Sequence, residues 1–69
     1  MQLSARNALK GKIVRVSAGT VNAEVHIQLA GGETIAAVIT RESAEQMGLK
    51  TGQEAYAVIK ASSVMVAVD

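Results

Sequence analysis

Apolar and polar residues alternate most regularly in residues 21–29. Apolar side chains occupy the odd positions of this stretch, and the even positions between them are polar: Asn22, Glu24, His26 and Gln28. Successive side chains of a strand point to opposite faces, so period two predicts a half-buried strand with one face in water. The Gly31-Gly32 pair that follows predicts a hairpin turn.

Other segments also have the character of strands. Residues 9–16 are β-like and lead into a turn-rich break at residues 17–20. The strands predicted at residues 35–39 and 55–59 are apolar on both faces, which leaves neither face suited to water. A sheet of this size has one interior, so we expect a second copy of the chain to cover the other face.

One short helix is predicted between these strands, at residues 41–47. Thr40 is suited to be its N-cap, and Gly48 follows its last residue as a stop signal. A last strand is predicted at residues 64–68, which gives the order β-β-β-α-β-β. The fold class predicted is all-β with one short helix, a small five-stranded OB-like barrel intertwined in an oligomer.

Composition limits the class of protein. The chain has 69 residues, no Cys and a formal net charge of +1. We expect one domain, residues 1–69, too small to bury a large core alone and therefore helped by oligomerisation.

With Tyr56 as its one aromatic residue and no basic excess, the chain lacks the usual marks of a nucleic-acid binder. No apolar run approaches the roughly 18 residues of a membrane span, and no signal peptide is evident, so we expect a cytoplasmic protein without membrane association.

The two ends of the chain carry matching polar fragments. Ser4 stands two residues from Arg6, and Lys60 stands two residues from Ser62. Residues two apart on an extended segment point to the same side, so each fragment presents a cation and a hydroxyl together. This is the chemistry that an oxyanion requires. The alternative is that Arg6 belongs to a frayed terminus and Lys60 to a solvated strand end.

The start of the predicted helix offers further donors. Thr40 and Ser43 bracket the first turn, where several backbone N–H groups lack partners and the helix dipole is positive. Their hydroxyls and these amides can donate to an oxyanion, which makes this turn a candidate part of the site. The alternative is that Thr40 only caps the helix. Glu42 would repel an anion, so we expect its side chain to point away.

Taken together, four segments of the chain resemble the molbindins, the Mop-type molybdate-binding proteins. These segments are residues 4–7 (Ser-Ala-Arg-Asn), 38–43 (Val-Ile-Thr-Arg-Glu-Ser), 48–52 (Gly-Leu-Lys-Thr-Gly) and 58–62 (Val-Ile-Lys-Ala-Ser). The resemblance covers essentially all of the chain. The same domain is found fused to molybdate-responsive regulators and to molybdate-import ATPases.

The resemblance implies a non-catalytic cytoplasmic protein that binds molybdate or tungstate for storage or homeostasis. It implies no cofactor, no direct metal-cation site, and a homohexamer built as a trimer of intertwined dimers. The site it implies lies across a subunit boundary and combines eight residues: Ser4, Ala5, Arg6, Thr40, Ser43, Lys60, Ala61 and Ser62. The molbindins also carry an oxyanion site on a symmetry axis, and residues 19–21 resemble a turn associated with it, although the glycine is equally explained by turn geometry.

Other chemistry finds little support in the sequence. His26 is the only His, it lies on the wet face of the alternating strand, and no nucleophile, base and orienting group stand together. Two other functions stay open as alternatives: a ligand-independent oligomeric interaction module, and an OB-fold nucleic-acid binder.

Overall fold

The computed structural model describes residues 2–69, which form one antiparallel sheet and one short helix. The strands are β1 (Asn7–Ala18), β2 (Asn22–Leu29), β3 (Thr34–Thr40) and β4 (Glu54–Ile59), and helix α1 (Arg41–Met47) connects β3 to β4. The strand order is β3-β2-β1-β4, with every pair antiparallel. The sheet curls into a half-barrel, and the prediction of a mainly β fold with one short helix is confirmed.

Strand β1 is longer than the sequence predicted and pairs on both sides. Its second half, from Gly11 onward, pairs with β2, and its first half, up to Lys12, pairs with β4. The pairing with β2 shifts register between Ile13 and Arg15, where a β-bulge adds a residue to β1. A bulge bends its strand and increases the local twist, which promotes the curl of the sheet.

The core lies on the inner face of the curled sheet. The alternation predicted for β2 is confirmed there, since Ala23, Val25 and Ile27 are buried. Val25 and Ile27 form one cluster with Ile13 and Ala57, and Leu29, Ile35, Ile39 and Leu49 are among the side chains that pack against it. All of these side chains are aliphatic. Because no large aromatic group fills the core, the strands must pack closely together.

Helix α1 has the bounds that the sequence predicted. Thr40 caps its first turn, and Gly48 ends it with a φ of 62°, a left-handed conformation that suits glycine. The Gly48 N–H donates to the carbonyl oxygens of Ala44 and Glu45. No helix formed by residues 2–69 has the length and apolar character needed to cross a membrane.

The fifth strand predicted at residues 64–68 is not formed in the single chain, and that prediction is wrong for the structure described. A 3₁₀ turn at Ala61–Ser63 follows β4, and within residues 2–69 the segment after it pairs with no strand. The turn is closed by hydrogen bonds from the amides of Ser63 and Val64, and it takes the chain out of the sheet. Met65 and Val68 are consequently more than 90% exposed.

Strands β3 and β4 are apolar on both faces, as the sequence indicated. Their inner side chains pack against the core, whereas Val38, Tyr56 and Val58 on the outer face are 68%, 48% and 45% exposed. Both strands are edges of the sheet, so each also has an unpaired backbone side. The single chain therefore leaves apolar surface and strand edges uncovered.

Gly11 permits the close approach of β1 and β2. A Cβ atom at this position would lie 2.5 Å from the Gln28 carbonyl oxygen and 2.7 Å from Ile27 Cγ2. We expect Gly11→Ala to lower the free energy of unfolding by about 1–3 kcal/mol, because backbone must move to admit the methyl group. Urea denaturation followed by circular dichroism measures this change.

Gly31→Ala is the matched control, since its added Cβ meets only the flexible end of the Glu33 side chain. An equal loss of stability in both variants would show that the close approach at Gly11 contributes nothing specific.

Candidate functional site

Pairing between β1 and β4 brings the two ends of the chain together. The last pair of this ladder is Asn7 opposite Ile59, so Arg6 and Lys60 are the next residues on neighbouring segments. Ser4 and Arg6 therefore lie at the same end of the sheet as Lys60 and Ser62. The matching fragments recognised in the sequence become neighbours although more than 50 residues separate them along the chain.

This end of the sheet is exposed and rich in donors. Ala5 is half-buried, and the other five predicted residues of the two fragments are exposed: Ser4, Arg6, Lys60, Ala61 and Ser62. In the 3₁₀ turn the amides of Ser63 and Val64 donate to the carbonyls of Lys60 and Ala61. The first amides of such a turn have no carbonyl within it to bind, so those of Ala61 and Ser62 remain available as donors.

The charges of Arg6 and Lys60 are not neutralised by a carboxylate. Ion pairs in the part of the chain that the structure describes join Lys10 to Glu54 and Arg41 to Glu45, and His26 forms a hydrogen bond with Glu24. Neither cation of the terminal fragments takes part in them. By contrast, the hydrogen bond and charge of Glu54 raise the pKa of Lys10. Two cations without a counter-charge and several hydroxyl and amide donors form a surface suited to a small anion.

One side chain connects the two segments directly. Asn7 Nδ2 donates to the Ile59 carbonyl oxygen at 3.2 Å, across the last pair of the ladder. Asn7 belongs to the segment of residues 4–7, but the sequence alone predicts no function for it. Its location at the end of a strand was the available signal, and only the pairing with β4 shows what its amide contacts.

Thr40 and Ser43 form a compact capping arrangement. The Ser43 amide donates to Thr40 Oγ1 at 3.0 Å, and the Thr40 hydroxyl donates to Ser43 Oγ at 2.8 Å. Thr40 is therefore the N-cap of α1, as predicted. Because the two hydroxyls share one hydrogen bond, the pair keeps one hydroxyl proton free for a further acceptor.

The structure does not bring this pair to the terminal fragments within one chain. Thr40 pairs with Asn22, beside the end of β1 at Ala18, whereas Arg6 and Lys60 lie beyond its beginning at Asn7. Strand β1 contains 12 residues, which corresponds to a length of roughly 35 Å for a straight strand. One chain therefore presents two partial donor sets, at opposite ends of the sheet.

Glu42 is directed away from the Thr40 hydroxyl, as expected. Its Oε1 atom accepts from Gln46 Nε2 at 3.4 Å, one turn further along α1. Arg41, next to it, donates through Nε to Glu45 Oε1 at 2.8 Å. Both contacts lie along the helix, so the carboxylates stay out of the capping arrangement.

Residues 19–21 lie beside the start of α1. The Gly19 amide donates to the Asn22 carbonyl at 2.7 Å, and the Arg41 amide donates to the Val21 carbonyl at 2.8 Å. A shallow depression of about 460 Å³ here is lined by Thr20, Val21, Thr40, Arg41, Glu42 and Glu45. Turn geometry accounts for Gly19, and the one cation in this lining, Arg41, is paired with Glu45.

His26 has an ordinary surface role. Its Nε2 atom lies 2.9 Å from Glu24 Oε1 on the outer face of β2. Among residues 2–69 no three His, Cys, Asp or Glu side chains are grouped so as to hold a metal ion. The candidate site therefore consists of the two partial donor sets: the terminal fragments at one end of the sheet, and Thr40 and Ser43 at the other.

These features define a small half-barrel with an anion-suited surface at one end of its sheet. Residues 3–66 match the TOBE domain, and the chain belongs to this family. Over its full length it is 48% identical to a probable molybdenum-pterin-binding protein of Haemophilus influenzae, and it covers 100% of that protein.

Two solved structures are similar as well. A molybdate-binding protein from Sporomusa ovata superposes with a TM-score of 0.93 at 29% identity, with 99% of this chain and 100% of that chain covered. The cytoplasmic molybdate-binding protein ModG, solved with molybdate bound, has a TM-score of 0.89 at 48% identity, with 94% of this chain and 46% of that chain covered. The predicted resemblance to the Mop-type proteins is thereby confirmed.

The Thr40 cap generates a first prediction about this site. We expect Thr40→Ala to lower the free energy of unfolding by about 1 kcal/mol, because the Ser43 amide loses its acceptor. Thermal unfolding measures the change. Thr51→Ala is the control, since Thr51 is an exposed turn residue outside the helix. Equal effects of the two substitutions would show that the cap does not stabilise α1.

Proposed function

We propose that this chain is a non-catalytic binding protein for molybdate, and for the closely similar tungstate, serving storage or homeostasis. The observation that carries the proposal is the position of Arg6 and Lys60 directly beyond the last β1–β4 pair. Neither has a carboxylate partner among residues 2–69, and hydroxyl and amide donors lie beside them. The similarity to a molybdate-binding protein and to ModG supports molybdate as the ligand.

The chemistry of the donors matches that of the ligand. Molybdate is a tetrahedral dianion with four acceptor oxygens and no proton to donate. A site for it therefore needs donors only, and charge-assisted hydrogen bonds supply much of the affinity. Arg6 and Lys60 supply charge, Ser4 and Ser62 supply hydroxyls, and Ala5 and Ala61 contribute through their backbone. The size of the completed cavity would separate molybdate from the smaller sulfate.

The complete site, in this proposal, crosses a subunit boundary. Thr40 and Ser43 of one copy would meet the terminal fragments of another, because a single chain holds these groups at opposite ends of its sheet. Water and salt screen much of the attraction between an exposed donor surface and an anion. A partner subunit that covers the surface excludes water and strengthens each hydrogen bond. Anion binding would then also stabilise the assembly.

The assembly we propose is a homohexamer made of three intertwined dimers. Its support is the apolar surface that the single chain leaves open on β3, on β4 and along the extended tail after the 3₁₀ turn. Val64, Val66 and Val68 are β-branched residues that suit a strand, and the edge strands of the sheet offer unpaired backbone groups. A second copy would cover both.

We further propose that the bound species is the free oxyanion. The name of the Haemophilus influenzae relative includes a pterin, and a pterin ring is commonly held by stacking on aromatic side chains. Tyr56 is the one aromatic residue of this chain, and it lies opposite Lys10 within the β1–β4 ladder, on the outer face of the sheet. The donor surface at the end of the sheet suits a small anion better.

Several finer points belong to the same proposal. Residues 1–69 would act as a single Mop-type domain in the cytoplasm, without a cofactor or a direct metal-cation site. Nucleic acid and membranes would not be partners, in keeping with the net charge of +1 and the lack of aromatic platforms.

The chief competing function is a ligand-independent interaction module, because the exposed apolar surface alone would also explain an oligomer.

Substitution of the cations tests the site. We expect Arg6→Ala and Lys60→Ala each to weaken molybdate binding at least about tenfold, because each removes a charge-assisted hydrogen bond. Isothermal titration calorimetry measures the affinity, and circular dichroism checks the fold. Lys50→Ala is the control, since it removes the same charge from an exposed loop after α1. Unchanged affinity in both test variants would overturn the assignment of the site.

Native mass spectrometry tests ligand and assembly together. We expect hexamers that take up molybdate in the presence of a sulfate excess, because the site is complete only between copies. Hexamers that ignore molybdate would instead support the interaction module. A monomer without bound anion would contradict both the oligomer and the shared site.

A further inference from the structure

The hydrogen bond between Asn7 and Ile59 is unusual in this chain. Within residues 2–69 it is the only side-chain-to-backbone hydrogen bond that joins distant parts of the sequence, with 52 positions between its partners. The others connect residues three or four positions apart, as in the Thr40 cap and the bond from Gln28 to Gly32. A single long-range tether therefore occurs at the end of the sheet where the two donor fragments meet.

This bond lies directly beside the residues that carry the donors. Asn7 directly follows Arg6, and Ile59 directly precedes Lys60, and beyond this pair the β1–β4 ladder ends. Strand ends without further pairing fray, since few contacts hold them. The Asn7 side chain is half-buried and fixes the carbonyl of the last paired residue of β4. This contact therefore adds to the last pair of the ladder at the point where both fragments leave the sheet.

The chemistry of the amide defines how Asn7 acts. A carbonyl oxygen accepts only from a donor, so the Nδ2 group must face Ile59, where it uses one of its two protons. This contact holds the backbone beside both donor fragments. A carboxylate at this position would face the carbonyl oxygen without a proton to share and would add a negative charge beside Arg6.

We propose that Asn7 is a positioning residue for the oxyanion site. Its side chain holds the carbonyl of Ile59, and this sets the line along which Lys60, Ala61 and Ser62 leave β4 beside Ser4 and Arg6. The inference rests on the proposed function and deepens it, because it names the residue that organises the donors before the ligand arrives. Pre-organisation of donors reduces the ordering cost of binding.

A purely structural role predicts a different result. The β1–β4 ladder has six residue pairs, from Asn7–Ile59 to Lys12–Glu54, so loss of one side-chain bond at its end should change global stability little. A positioning role instead predicts that loss of the Asn7 side-chain bond mainly affects the donor residues. Backbone hydrogen exchange at Ser63 and Val64, whose amides close the 3₁₀ turn, and the affinity for molybdate should therefore change much more than the unfolding temperature.

Asn7→Leu is the test variant, because leucine has a similar size and removes the donor. We expect molybdate affinity, measured by calorimetry, to fall about tenfold, as for the loss of one organising hydrogen bond. We expect exchange at the hydrogen-bonded amides of Ser63 and Val64 to become faster without ligand, and Asn7→Asp to bind more weakly still. Gln28→Leu is the matched control, since it removes a carboxamide-to-carbonyl bond of the same kind in the β2–β3 hairpin, and it should change neither readout.

The outcomes separate the two proposals. A folded wild-type protein that does not bind molybdate would overturn the proposed function, and with it the premise of this inference. Wild-type binding together with unchanged affinity in Asn7→Leu would overturn only the positioning role. Weaker binding without faster exchange at Ser63 and Val64 would also overturn it, because the loss would then arise elsewhere. Should Asn7→Leu fail to fold, Asn7→Ser removes the same contact with a small polar side chain and is judged by the same criteria.

Discussion

The double pairing of β1 is the constraint on which the rest of this structure depends. The strand is long enough to pair with β4 through its first half and with β2 through its second half. The bulge between the halves bends it, and the sheet curls around the aliphatic cluster that includes Ile13 and Val25. Without this strand β4 would have no partner, and the two ends of the chain would not meet.

The same pairing explains how the donors are distributed. An antiparallel ladder places the residue before one strand next to the residue after its partner, so Arg6 and Lys60 become neighbours as a consequence of register. The β2–β3 hairpin carries Thr40 towards the opposite end, where helix α1 begins. A long central strand therefore keeps the two donor sets apart within one chain. An assembly of several copies is a natural way to combine them.

The exposed apolar surface fits this arrangement. A chain of 69 residues with few large side chains encloses only a small core, and Val38, Val58 and the tail after the 3₁₀ turn stay open to solvent. Burial of this surface between copies would provide stability that the single chain lacks. Such a protein would link stability, assembly and anion binding, since the same contacts would serve all three.

Local patterns were sufficient for much of the fold. The alternation in β2, the Gly31-Gly32 turn and the bounds of helix α1 were predictable because each depends on neighbouring residues, through strand periodicity, turn geometry or capping. The sequence likewise showed two matching cation and hydroxyl fragments, since that chemistry is visible in the residue types. The strand predicted at residues 64–68 failed because apolar and β-branched residues show only that a segment suits a strand. A strand forms only beside a partner edge, and within residues 2–69 this segment has none. Only the tertiary structure decided that Arg6 meets Lys60, that Thr40 lies far from both, and that Asn7 connects β1 to Ile59, because long-range register depends on how whole strands pair and not on local composition.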